Sequence, residues 1–128
     1  MKATPLRILQ VNSLFSGGGV DNQTLNLSAG LQALGEEVTL AVPAGSRYEA
    51  RARQAGLLVE NIPAGSWLKA SLTYHCCQII RSRRIQILHV HQGRDYWPCI
   101  LAAKLAGLGT QVVVTRHLMS PPRSLSSK

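Results

Sequence analysis

Apolar residues along this chain fall into two kinds of run that take turns. One kind is short and rich in β-branched residues; the other is longer and repeats every three or four positions. Residues 7–12 (RILQVN) form the first short run, which ends at Ser13 and the cluster Gly17, Gly18 and Gly19. Such a run bounded by turn residues predicts a buried strand. Residues 20–34 follow, with Leu25, Leu27, Leu31 and Leu34 near helical spacing and Gly35 as the stop signal. The same alternation predicts strands over 37–42, 57–62, 85–91 and 111–115, and helices over 48–54, 67–83 and 96–106. Leu68, Leu72, Cys76, Ile79 and Ile80 make the apolar stripe of the 67–83 helix. Pro98 lies in the first turn of the last helix, where its missing N–H costs nothing. Residues 120–128 carry no core pattern.

Five strands alternating with four helices imply a three-layer α/β/α sandwich around a parallel sheet, built with right-handed crossovers. The expected strand order is 3-2-1-4-5. In open parallel sheets ligands bind beyond the carboxyl ends of the strands, where the order reverses. Strands one and four flank that point. Three loops should therefore converge on one rim: residues 16–21, residues 91–95, and Thr115, Arg116 and His117 at the end of the fifth strand.

Each candidate at that rim has a bland reading beside a chemical one. Consecutive glycines before a helix let backbone N–H groups approach a phosphate, with the positive end of the helix dipole behind them; a loop that only needs unusual dihedrals is the alternative. A dinucleotide fingerprint fails, because Asn22 stands where its third glycine belongs and no acid ends the second strand. A P-loop fails for want of Gly-Lys-Ser/Thr. His89 and His91 share one face of a strand. His89 reads as a satisfied core histidine, and His91, at the strand end, as lining a ligand cleft. A zinc site would need two further ligands, and His75, Cys76 and Cys77 have the wrong spacing. His117 can donate to a sugar hydroxyl or phosphate, or be an exposed loop residue. Arg116 can pair with an anion or simply be solvated.

Composition narrows the partners. The chain has 128 residues, enough for one domain, with 45% apolar, 16% charged and 5% aromatic residues. These values exclude a disordered chain and a disulfide scaffold. The net charge of +8 is uneven: after residue 46, twelve basic residues face three acids. That field suits an anionic partner. Few aromatics and scattered basic residues argue against nucleic acid. Three cysteines and no leader-like apolar run fit a cytoplasmic protein, and no stretch reaches the roughly 20 apolar residues of a membrane span. Peripheral contact through Trp67, Leu68 and Lys69 is the remaining membrane option; the basic residues Arg81, Arg83 and Arg84 are otherwise explained as complements to a helix C-terminus.

Four local patterns carry a resemblance: RILQVNS leading into S-G-G-G; Asp21 after the glycines, followed by L-x-x-x-L-x-x-x-G and E-V-T-L; I-L-H-V-H with A-A-K-L-A-G behind it; and V-V-V-T-R-H. Over about residues 6–118 the chain resembles the N-terminal, acceptor-side domain of GT-B glycosyltransferases of the family 4 type. Asp21 stands where that family usually has Glu, and Glu36 where it often has His. The resemblance implies a Rossmann-like domain facing a second, donor-binding domain across a cleft. It implies transfer of a sugar from a nucleoside diphosphate to an acceptor hydroxyl with retention, without a metal or other cofactor. Gly17, Gly18, Gly19 and Asp21 would approach the donor diphosphate and sugar, with His91 and Arg116 also binding substrate. His117 would contact the donor sugar at the reacting centre. The positive second half fits a lipid-linked saccharide or lipopolysaccharide core as acceptor, handled at the inner face of the membrane. On this reading residues 1–128 are one domain cut short at its C-terminal end, with 119–128 a flexible tail and no activity alone. The alternative is a non-catalytic, flavodoxin-like module that holds an anionic ligand or a membrane surface.

Overall fold

The structure is a computed structural model that describes residues 4–12, 19–62, 69–91 and 93–115. Five strands, β1 (Arg7–Val11), β2 (Glu37–Pro43), β3 (Leu58–Ile62), β4 (Ile87–Val90) and β5 (Gln111–Val114), alternate with four helices. The helices are α1 (Gly19–Ala33), α2 (Arg47–Gln54), α3 (Lys69–Arg83) and α4 (Tyr96–Ala106), the last entered through a 3₁₀ turn, Gly93–Asp95. All strand pairs are parallel, in the order β3-β2-β1-β4-β5. This is the Rossmann-like sandwich the alternation implied.

Side-chain alternation along the strands divides the interior into two cores. On one face Leu9, Val11, Leu88 and Val90 meet Leu72, Cys76, Ile80 and Cys99 from α3 and α4. On the other, Val38, Leu40 and Val42 meet Leu25 of α1 and Tyr48 and Ala52 of α2. The central strands are buried on both sides, which is why they read as unbroken apolar runs.

Two expectations about elements change. The fourth strand is shorter than the apolar run 85–91, because the Ile85 N–H donates to Ile80 O at 3.0 Å and so belongs to the end of α3. In α1 the buried line runs through Thr24, Leu25 and Ser28, whereas Leu27 and Leu34 are exposed. Leu25 and half-buried Leu31 pack on the sheet as their spacing implied, and two small polar residues complete the close approach. Start residue 67 of the third helix and the tail 119–128 lie outside the described residues.

Candidate functional site at the carboxyl rim of the sheet

The strand order makes β1, β4 and β5 neighbours, and because they are parallel their carboxyl ends share one edge. The ladder continues one residue past each strand. Asn12 N–H donates to Ala41 O at 3.5 Å, His91 N–H to Val11 O at 3.3 Å, and Thr115 N–H to Val90 O at 3.0 Å. Asn12, His91 and Thr115 are thus fixed side by side by main-chain bonds before any side chain acts. The N-terminus of α1, at Gly19, follows β1, so the helix presents its positive end to this edge.

Polar side chains of the rim lie on the α1 face of the sheet. Gln10 and His89 are register partners on β1 and β4. Gln10 is fully buried, and its Oε1 lies 2.6 Å from His91 Nε2. The His89 and His91 rings are stacked at a tilt with centroids 4.1 Å apart. His89 Nε2 in turn hydrogen-bonds Thr115 Oγ1. A continuous polar path therefore crosses three strands, from Gln10 through both histidines to Thr115. On its flank Asn12 Nδ2 donates to Thr24 Oγ1 at 3.4 Å, and Ser28 Oγ donates to Thr24 O at 2.7 Å, tying α1 to the end of β1. Asp95, also buried, stands at the entry to α4.

The sequence candidates distribute as follows. Gly19 opens α1 and Asp21 sits in its first turn. Gly17, Gly18, Arg116 and His117 lie outside the described residues; Thr115, the described neighbour of Arg116, is at the rim. Burial of the two histidines is the reverse of expectation: His91 is buried, while His89 is only half-buried. Gln10, Asn12 and Thr24 were missed, whereas Thr115 stands at the rim as expected. Their signal was available as Q-x-N and H-x-H, two polar pairs at strand period that interrupt apolar runs on adjacent strands.

Among the described residues no group of three or more His, Cys, Asp or Glu side chains could hold a metal ion. Cys76 and Cys99 are buried between α3 and α4. A hydrogen bond from the Cys76 side chain, followed by burial, pushes the Cys99 thiol well above the usual range. That suits packing, since nucleophilic thiols need the opposite shift.

A parallel sheet with a polar rim at its strand-order reversal and a glycine-led helix beside it defines a Rossmann-like domain. Comparison makes the class specific. The model of Glycosyltransferase Family 4 matches residues 17–128, and the chain belongs to that family. The sequence finds no match among curated proteins. Among solved structures, a glycosyltransferase from Rickettsia africae superposes with a TM-score of 0.77 at 20% identity, covering 98% of this chain and 33% of that one. MurG of Acinetobacter baumannii gives 0.72 at 15% identity, over 96% of this chain and 38% of that one. The spinosyn rhamnosyltransferase SpnG gives 0.51 at 22%, over 87% and 34%. These likenesses establish a shared fold. The chain spans about a third of the length of each.

Proposed function

We propose that this chain is the acceptor-side domain of a retaining glycosyltransferase that moves a sugar from a nucleoside diphosphate to an acceptor hydroxyl. The observation that carries the reading is the family match over residues 17–128 on a sheet whose β1, β4 and β5 ends share one rim. The chemistry asks chiefly for stabilisation of the departing diphosphate. Preorganised N–H groups and cations supply that without reorganising during the reaction. Main-chain N–H groups of Gly17, Gly18 and Gly19, backed by the dipole of α1, fill the first role. Arg116 fills the second. Asp21 binds the donor sugar from the first turn of α1, and His117 contacts it at the reacting centre. His91 acts from beneath, held by Gln10 and stacked on His89. No metal or other cofactor takes part.

The donor would be held mainly by a second domain, and the excess positive charge fits a lipid-linked saccharide or lipopolysaccharide core as acceptor, at the inner face of the membrane. A mass-spectrometric transfer assay over a panel of nucleotide sugars tests this. The 128 residues alone should show no turnover. Joined to a donor-binding domain, they should transfer one sugar, with the anomeric configuration retained by NMR. His117→Ala should then lower kcat at least 100-fold, the scale of losing one preorganised donor. Unchanged kcat in that variant removes His117 from the chemistry. Binding of pyrophosphate with no transfer by the joined protein favours a non-catalytic anion-binding module.

A further inference from the structure

The strand β5 carries the rim but has little of its own to hold it. It is four residues long and, among the described residues, bonded to a neighbour on one side only, β4. Val112 is half-buried against the α3–α4 core, while Val113 and Val114 are exposed. Its ladder ends with Thr115 N–H donating to Val90 O at 3.0 Å, and Arg116 and His117 come next in the chain. A single main-chain bond adds little net stability, and element ends with few apolar contacts open first.

The side chain of His89 supplies a second hold. His89 is in register with Val113, so Thr115 lies two residues further along β5 on the same face. The ring reaches diagonally across the two strands, and its Nε2 hydrogen-bonds Thr115 Oγ1. The same diagonal step is made one strand inward. Gln10 is in register with His89, and its Oε1 lies 2.6 Å from the Nε2 of His91, two residues further along β4. The two imidazole rings, with centroids 4.1 Å apart, join the diagonals. Ladder bonds hold neighbouring strands side by side, whereas diagonals resist the sliding of one strand along the next. Gln10 and His91 are buried, so this brace starts in the centre of the sheet and ends at the edge.

Packing alone does not ask for such groups. Apolar side chains would fill the same face at lower cost, because a buried polar group must recover its lost hydration through hydrogen bonds. That cost is visible at Gln10, whose Nε2 has no partner among the described residues. What a polar network adds is a fixed orientation, since it rigidifies the elements it joins.

We infer that His89 is a positioning residue of the site: through Thr115 it fixes the carboxyl end of β5, and so sets where His117, two residues on, meets the donor sugar. This role rests on the proposed contact between His117 and that sugar, and it differs from the core-filling role the sequence suggested for His89.

NMR of the 128-residue chain reads the brace without any sugar donor. In Thr115→Val the side-chain nitrogen resonance of His89 should shift, and Thr115→Ser, which keeps the hydroxyl, should restore it. The ring resonances of His117 should shift in Thr115→Val and in His89→Leu, and the double variant should add little to either, since both cut one path. Leu34→Gln, exposed beyond the end of α1, should leave them unchanged. Joined to a donor-binding domain, His89→Leu and Thr115→Val should lower kcat about 10–100-fold with KM for the nucleotide sugar within about twofold, the pattern of a displaced catalytic group. His89→Gln, whose amide can stand in for Nε2, and Thr115→Ser should keep most of the activity. Circular dichroism checks that each variant is folded; if His89→Leu unfolds, Thr115→Val carries the same test. Unchanged His117 resonances in the folded variants overturn the inference. So does a raised KM with unchanged kcat, which would make the pair a binding contact. Shifted His117 resonances, with no transfer by the joined parent protein, support the brace and overturn the transferase reading instead.

Discussion

Gln10 shows how much of the rim rests on one side chain. It is wholly buried, its Oε1 is 2.6 Å from His91 Nε2, and its Nε2 has no hydrogen-bond partner among the described residues. Removing one member of a buried pair exposes the other to the full desolvation cost. Gln10→Leu should therefore lower stability by about 1–3 kcal/mol, read as a lower urea midpoint with an unchanged slope. An unchanged midpoint would mean that the rim tolerates the loss of this pair. Cys99 makes a different prediction. The Cys76 hydrogen bond and burial both favour its neutral thiol, so its folded-state pKa is raised. The unfolded thiol ionises near pH 8.5. The resulting stability is fully present below that pH and is lost as pH rises toward the folded-state value. The urea midpoint should fall from about pH 8.5 upward, and Cys99→Ala should flatten that fall while lowering the plateau. Under native conditions iodoacetamide should label half-buried Cys77 before Cys76 or Cys99, with mass spectrometry reporting the order.

Helix ends and edge strands decide matters at the next scale. Three helices close with glycine in the left-handed region, Gly35, Gly56 and Gly107. The helix α3 closes the same way, with Ile85 N–H returning to Ile80 O, but its left-handed residue is Arg84 at φ 52°. A Cβ in that region costs about 1–2 kcal/mol, partly offset by the larger entropy glycine loses on folding. Arg84→Gly should raise stability by about 0.5–1 kcal/mol and increase Tm. A lower Tm would assign Arg84 a contact worth more than its strain. The Arg84 carbonyl accepts from Arg7 Nε at 2.8 Å, a bond the substitution preserves. The strand β5 is the counterpart. Three of its four residues are valine, yet Val113 and Val114 are exposed. It is an edge strand among the described residues: Val113 points away from α4, and Val114, in register with Val90 on the α4 side, lies at the strand's open end. Apolar content predicted the strand; its place in the sheet decided its exposure.

For the molecule as a whole, one lobe presents one rim. On the proposed function, a nucleotide sugar at this rim would be contacted from one side, with the rest of its surface left for a second domain. Ligand sites of useful affinity bury most of the ligand. Calorimetry should accordingly give the 128-residue chain a Kd weaker than about 1 mM for any nucleoside diphosphate sugar. Micromolar binding would show that the rim alone holds a donor. The +8 charge acts at this scale too, since it biases encounter with anionic surfaces whichever residue makes the final contact.

The linear chain determined the alternation of strands and helices, because hydrophobic period and glycine stops are local properties that neighbouring residues enforce. It also determined the strand order and the rim, since right-handed crossovers leave few ways to wind five parallel strands. RILQVNS, ILHVH and VVVTRH carried the family with them. What the sequence could not decide was which side of each element faces inward. Leu27 and Leu34 turned out, Thr24 and Ser28 turned in, His91 is buried and His89 half-buried, and the leucines of α4 stayed on the surface while its alanines filled the core. Those outcomes depend on how closely a helix can approach the sheet and on which strand lies at its edge. Both are set by contacts between residues far apart in the chain, where no local pattern reaches.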